Sequence, residues 1–214
     1  GIDPRGDAYI LLPNSDSQRH RERLNVPQKI TSKLLEKPKN FAFHLVNEIY
    51  HGDVNTNETI KKWYERSLGY FQNRSLSPTY IAQIITDLID KKIIYEEDGK
   101  YTPSSLAKIS SIFYYPPFDV ADLKNNFYFL FERNKQDDDI FTACALAKTD
   151  SNVSLIVNTA EKQELKSFDI KLQRQLGADY RFLTEGMKKA AFCYHNLLNG
   201  FNSNVMSAYQ RGLQ

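Results

Sequence analysis

The chain has 214 residues, 41% hydrophobic and 25% charged, with a net charge of +2. That length suits one large domain or two small ones, and the composition is that of an ordinary globular protein rather than a low-complexity tail. The charge is too small to make the whole surface basic, so any basic surface must be local. No apolar run approaches the roughly 18–20 residues needed to span a membrane, and no signal peptide is recognised.

Asp3-Pro4-Arg5-Gly6 is a turn sequence that leads into a short apolar strand, Ala8 to Leu12. No partner strand follows nearby. The expectation is therefore the end of a sheet whose remainder lies outside this chain. Residues 14–29 are polar, with Arg19, His20, Arg21 and Arg23, and read as a solvated connector. From Ile30 the pattern turns helical: Phe41, Leu45, Val46 and Ile49 recur at helical spacing, and His51-Gly52 supplies a stop. Thr56 caps a second helix, with Ile60, Trp63, Tyr64, Leu68 and Phe71 as its apolar face. Ser77-Pro78 opens a third, whose apolar face is Ile81, Ile84, Ile85, Leu88 and Ile89.

Ile93–Tyr95 and Lys100–Thr102 flank Asp98-Gly99, a strong hairpin signal. Three helices and then a hairpin is the winged-helix order. A helix from Ser104 to Tyr114 follows, and Pro116-Pro117 ends it. Residues 119–133 and 137–148 read as amphipathic helices, and 160–175 as a polar helix. Val153 to Val157 suits either a short strand or a helix end. A longer helix spans 178–198, closed by Asn199-Gly200, and a last one starts near Asn202 or Ser203. The predicted fold is mainly α, with a winged-helix domain over 30–116 and a helical bundle over 117–214.

The chemistry of an engine is missing from this pattern. No G-x-x-x-x-G-K-[ST] loop is present to cradle phosphate. Asp137-Asp138-Asp139 is the nearest approach to a Mg²⁺ site, but adjacent acids at a helix start point in different directions and suit the helix dipole. The four histidines, His20, His44, His51 and His195, include no two-ligand pair at i, i+4, and His44 reads as a core group. Cys144 and Cys193 are far apart and read as buried thiols of a cytoplasmic protein. Cys193 and His195, two apart on a helix, face apart. No metal site and no catalytic residue is expected.

The long helix carries an apolar set of Leu183, Met187, Ala190, Ala191, Tyr194 and Leu198. A second line holds Arg181, Lys188 and His195, seven residues apart each time. Seven residues is nearly two turns, so such groups can track phosphates, while Phe192 could stack on a base. The alternative is a solvated face with Phe192 in the core. The third helix offers Thr79, Gln83, Thr86, Asp87 and Asp90, a poor set for reading a major groove and better suited to packing on protein.

Several segments in order resemble the C-terminal part of superfamily-2 helicases of the Ski/Brr type, the group that includes the archaeal fork-remodelling helicases. Asp3-Pro4-Arg5-Gly6-Asp7-Ala8-Tyr9-Ile10-Leu11 is similar to the D-P-x-G-x-A-Y-I-L that follows the last arginine motif of the second RecA-like lobe. Lys29-Ile30-Thr31-Ser32-Lys33-Leu34 resembles P-I-x-S-x-L, with Lys29 in place of Pro. Glu48-Ile49-Tyr50-His51-Gly52 looks like E-I-x-x-G, and Trp63 to Phe71 like an aromatic helix of the family. Tyr101 to Pro116 resembles the Y-x-P-T-x-L-G signature, with Ser104 for Thr and Ala107 for Gly. Beyond residue 120 the likeness thins to Gly177-Ala178-Asp179 and Gln210-Arg211-Gly212-Leu213, similar to landmarks of the helical ratchet module.

The resemblance implies that residues 1–29 are a remnant of the second RecA-like lobe and a linker. ATP and Mg²⁺ would belong to the parent protein, with no cofactor and no activity in this part alone. The winged helix would buttress the RecA-like lobes, and the ratchet-like domain would contact single-stranded nucleic acid, DNA rather than RNA. Arg181, Lys188, Phe192, His195 and Arg211 are the expected contact residues. The competing expectations are a winged-helix transcription regulator and a protein-interaction module.

Overall fold

The computed structural model describes residues 13–24, 26, 29–72 and 77–206. The expected turn and strand before Pro13, and Arg211 with its neighbours, lie outside them. The described residues are mainly helical, with one two-stranded sheet. Contacts divide the chain into residues 1–32 and residues 33–214. In the first unit a 3₁₀ turn, Asn14–Asp16, runs into α1, Ser17–Leu24. Of the polar stretch expected as a connector, residues 17–24 are helical, with Arg21 and Arg23 in the last turn, where cations suit the helix dipole.

The second unit begins with α2, Pro38–His51, whose proline sits in the first turn at no cost in hydrogen bonds. Its buried stripe is Phe41, Ala42, Leu45, Val46 and Ile49. His44, expected in the core, is exposed, because position 44 falls outside that stripe. Gly52, at φ 88°, closes the helix by donating its N–H to Glu48 and Ile49. A capping box of Thr56 and Thr59 starts α3, Asn57–Glu65. The single helix expected through Phe71 breaks here: Ser67 takes the N–H of Tyr70 and opens a separate turn, α4, Leu68–Phe71. Leu68 and Phe71 consequently point to solvent rather than the core.

α5, Pro78–Asp90, buries Ile84, Ile85 and Leu88. β1, Ile94–Glu97, and β2, Lys100–Pro103, pair antiparallel with Glu97 opposite Lys100. Asp98 and Gly99 make the turn at φ 50° and 72°, the positive-φ pair that a two-residue hairpin requires. The Tyr101 backbone N–H donates to Asn55 and its hydroxyl to Asn57 at 3.0 Å, which fastens the hairpin to the start of α3. Ser104 caps α6, Ser105–Phe113, which ends on Tyr114 in the left-handed region at φ 56°. α7, Pro117–Glu132, follows directly.

One hydrophobic core joins α2, α3, α5, the hairpin and α6, with Phe41 edge-on to Trp63 at 5.4 Å. Val120 and Ala121, in the first turn of α7, also belong to it. The Pro116-Pro117 step therefore starts a helix without ending the core, and α7 carries the chain on toward the second core. That core is built from α8, Asp139–Ala147, α10, Thr159–Leu176, and α11, Glu185–Leu198. Between the first two lies a single turn, α9, Asp150–Val153, so Val153 ends a helix and is not in a strand. The expected 178–198 helix is two pieces: a 3₁₀ turn, Gly177–Phe182, and α11. Gly177, at φ 54°, stops α10, and Thr184 accepts the N–H of Met187 to nucleate a fresh helix.

Candidate nucleic-acid interface

α11 carries three of the residues expected to meet a strand. Lys188 Nζ donates to Tyr180 at 2.9 Å and to Glu185 at 2.8 Å, and lies 3.7 Å from Asp169. Partial burial works against its charge, but Glu185, Tyr180 and Asp169 hold its pKa above the ordinary lysine value. Its charge is matched inside the protein. Phe192 is buried and meets Phe168 of α10 edge-on at 5.4 Å. His195 lies tilted against the same ring at 5.0 Å. Lys188, Phe192 and His195 thus follow one line at i, i+4 and i+7, and that line faces α10. Arg181 is not on it. It sits in the 3₁₀ turn, exposed, with its guanidinium 4.8 Å from the Phe182 ring. Leu198, assigned to the apolar set, is exposed at the end of the helix.

Lys189 is buried and donates to Glu161 at 2.8 Å and to the Ile156 carbonyl at 2.9 Å. Burial opposes the Glu161 charge, but the Lys189 and Asn158 hydrogen bonds outweigh it and keep the carboxyl below its usual value. Burial pushes the Cys144 and Cys193 thiols up to about 12, which leaves no thiolate for nucleophilic work. Asp138 spends its carboxylate on the Ile140 and Phe141 N–H groups as the cap of α8. Among the described residues no three His, Cys, Asp or Glu side chains gather as a metal site. No helix among them is long and apolar enough to cross a membrane.

The outer face of α5 is closed in on itself: Gln83 donates to Asp87 at 2.8 Å and Thr86 to the Ala82 carbonyl at 2.9 Å. α6 is different. Ile109, Ile112 and Phe113 lie at i, i+3 and i+4 on its outward side, and Phe113 and the adjoining Tyr114 are 72% and 73% exposed. Large apolar side chains grouped this way on a surface mark a contact site.

A second place gathers charged and aromatic side chains that the sequence patterns did not single out. α7, α8 and the 3₁₀ turn enclose a cleft of about 230 Å³. Leu130, Leu176 and Leu183 form its apolar lining, with Phe129 and Phe182 half-exposed. Arg133, Lys135 and Lys148 border it together with Asp179. The Arg133 guanidinium stacks 3.8 Å from the Phe129 ring centre and bonds Asp179 at 2.8 Å. A signal for it does exist in the sequence. Phe127-Tyr128-Phe129-Leu130-Phe131 is five large residues in a row, and successive helical positions turn by about 100°, so no single buried face can take them all.

Compared with known proteins, the chain matches no protein-family model, and no curated protein matches it.

Proposed function

We propose that this chain is the non-catalytic C-terminal part of an ATP-dependent nucleic-acid helicase. In this reading residues 30–116 form a winged helix that packs against the ATPase lobes, and the helices after it contact the translocating single strand. ATP and Mg²⁺ belong to those lobes, DNA is the favoured strand, and the location is cytoplasmic. The observation that carries the reading is the outward apolar stripe of α6, which follows helices α2 to α5 and the hairpin. Such a stripe needs a large protein partner, as a buttress would have. The self-contained, cation-poor outer face of α5 supports packing on protein over reading a groove. The motif resemblance before residue 120 supplies the identity of that partner.

Fluorescence anisotropy with a labelled single strand of about 20 nucleotides and its duplex, as DNA and as RNA, tests the strand half of this reading. Preferential single-strand binding that weakens with salt is the expected result. Tight binding to one duplex sequence would instead make the chain a regulator. A protein-docking module is the second reading, favoured by the internal partners of Lys188 and Phe192, and the absence of any strand binding would select it.

A further inference from the structure

We infer that the cleft between α7, α8 and the 3₁₀ turn holds one unpaired nucleotide of a single strand, its base against Phe182 and Phe129 and its phosphate against Lys135 and Lys148. The inference rests on the single-strand reading above, and it moves the contact away from α11 to a surface no motif assigned. The argument begins with size. At about 230 Å³ the cleft is smaller than the 300–1,000 Å³ usual for cofactor sites, so it takes one base and not a dinucleotide.

The wall chemistry comes next. Phe182 is 56% and Phe129 48% exposed where they line the cleft, and half-exposed rings of this kind serve as platforms for base stacking. Arg133 adds a planar cation already fixed in place by Phe129 beneath it and Asp179 beside it. A guanidinium plane stacks on bases as an aromatic ring does. The Arg181 guanidinium lies 4.8 Å from the Phe182 ring centre, so both rings carry an arginine neighbour.

Charge then selects the ligand. Three cations, Arg133, Lys135 and Lys148, border the cleft against one carboxylate, Asp179, which is committed to Arg133. Lys135, whose Nζ lies 5.1 Å from the Phe141 ring centre, and Lys148 have no carboxylate in the cleft lining besides Asp179 and face it as cations for an anion. An acidic peptide would match the lysines but offers no flat face for the rings. A base joined to a phosphate matches both.

Binding of the full chain to a labelled single strand, measured across a range of salt, tests this with four variants. Phe182→Ala is expected to weaken binding about five-fold to a hundred-fold, the usual worth of one stacked base. Lys135→Ala and Lys148→Ala should each weaken binding less and lower the salt slope by about one. Ile156→Ala, an exposed side chain in the segment before α10, should leave affinity unchanged, and thermal unfolding of Phe182→Ala should match the wild type. A strand carrying 5-iodouracil should photo-crosslink to peptides containing Phe129 or Phe182. Wild-type strand binding that all three cleft variants leave intact overturns this site while the single-strand reading stands. A wild-type chain that binds no strand overturns both. Competition by a mononucleotide as effective as the strand itself would make the ligand a free nucleotide and overturn the strand assignment.

Discussion

At the scale of single residues, the buried ionisable groups act as fasteners. Lys189 and Glu161 are both nearly sealed from water, and Lys189 also holds the Ile156 carbonyl. A buried pair of this kind contributes little net stability compared with apolar replacements. Its effect here is positional, since it fixes the irregular segment 154–158 against α11. Asp119 is the less comfortable case. Burial, the dominant influence, raises its carboxyl pKa; the Ser151 hydrogen bonds pull it back, and Asp150 and Asp122 push it up. A carboxyl raised on folding favours the folded state below its unfolded pKa of about 3.9, and that contribution is lost as pH rises through the folded value. Asp119→Asn keeps an oxygen for the Ser151 N–H and removes the charge. We predict that the variant gains on the wild type in urea midpoint as pH rises from about 4 to about 7. A gap that stays constant or shrinks would mean Asp119 is ionised in the fold without penalty.

At the scale of elements, helix starts and stops follow short-range chemistry, and one glycine marks where two elements meet. Gly186, in the first turn of α11, has no room for a side chain: a Cβ there would collide with the Asn152 carbonyl oxygen and come within 2.9 Å of the Leu155 amide. These are backbone atoms of α9 and the segment after it, so they cannot swing aside. Alanine gains up to about 1 kcal/mol in helix propensity over glycine. Forced overpacking costs about 1–3 kcal/mol. We predict a net loss of stability for Gly186→Ala, visible as a lower denaturation midpoint without a change in slope. A midpoint at or above the wild type would show that α9 yields. The break of the 178–198 pattern belongs to this scale as well. Gly177 falls in the gap that the sequence leaves between the two helices, but apolar periodicity across residues 183–198 masks the cap at Thr184.

At the scale of the whole molecule, the outward stripe of α6 is the feature an isolated chain explains least. Replacing Ile112 and Phe113 by Lys removes apolar surface largely in water and puts cations in the last turn of α6, where the helix dipole favours them, so stability should move by no more than about 0.5 kcal/mol. Sedimentation at rising concentration should show self-association of the wild type and its loss in the double variant. Identical sedimentation of the two would mean that the stripe is not adhesive, and would weaken the buttress reading.

Local patterns in the sequence determined most of the longer helices, the cap at Thr56, the helix start at Ser77-Pro78, the Asp98-Gly99 hairpin and most of the first core, because each depends on residues within about one or two turns of each other. The candidate site was legible only in part. Seven-residue spacing brought Lys188 and His195 to one side of a helix, but periodicity cannot say whether a neighbour covers that side. α10 covers it, so Phe192 entered the core and Lys188 found Glu185 and Asp169. The run from Phe127 to Phe131 signals apolar surface left over on α7, but the cleft itself depends on tertiary structure. Arg133 and Asp179 stand 46 residues apart in the chain, and only the packing of α7 and α8 beside the 3₁₀ turn brings their charges and rings to one place.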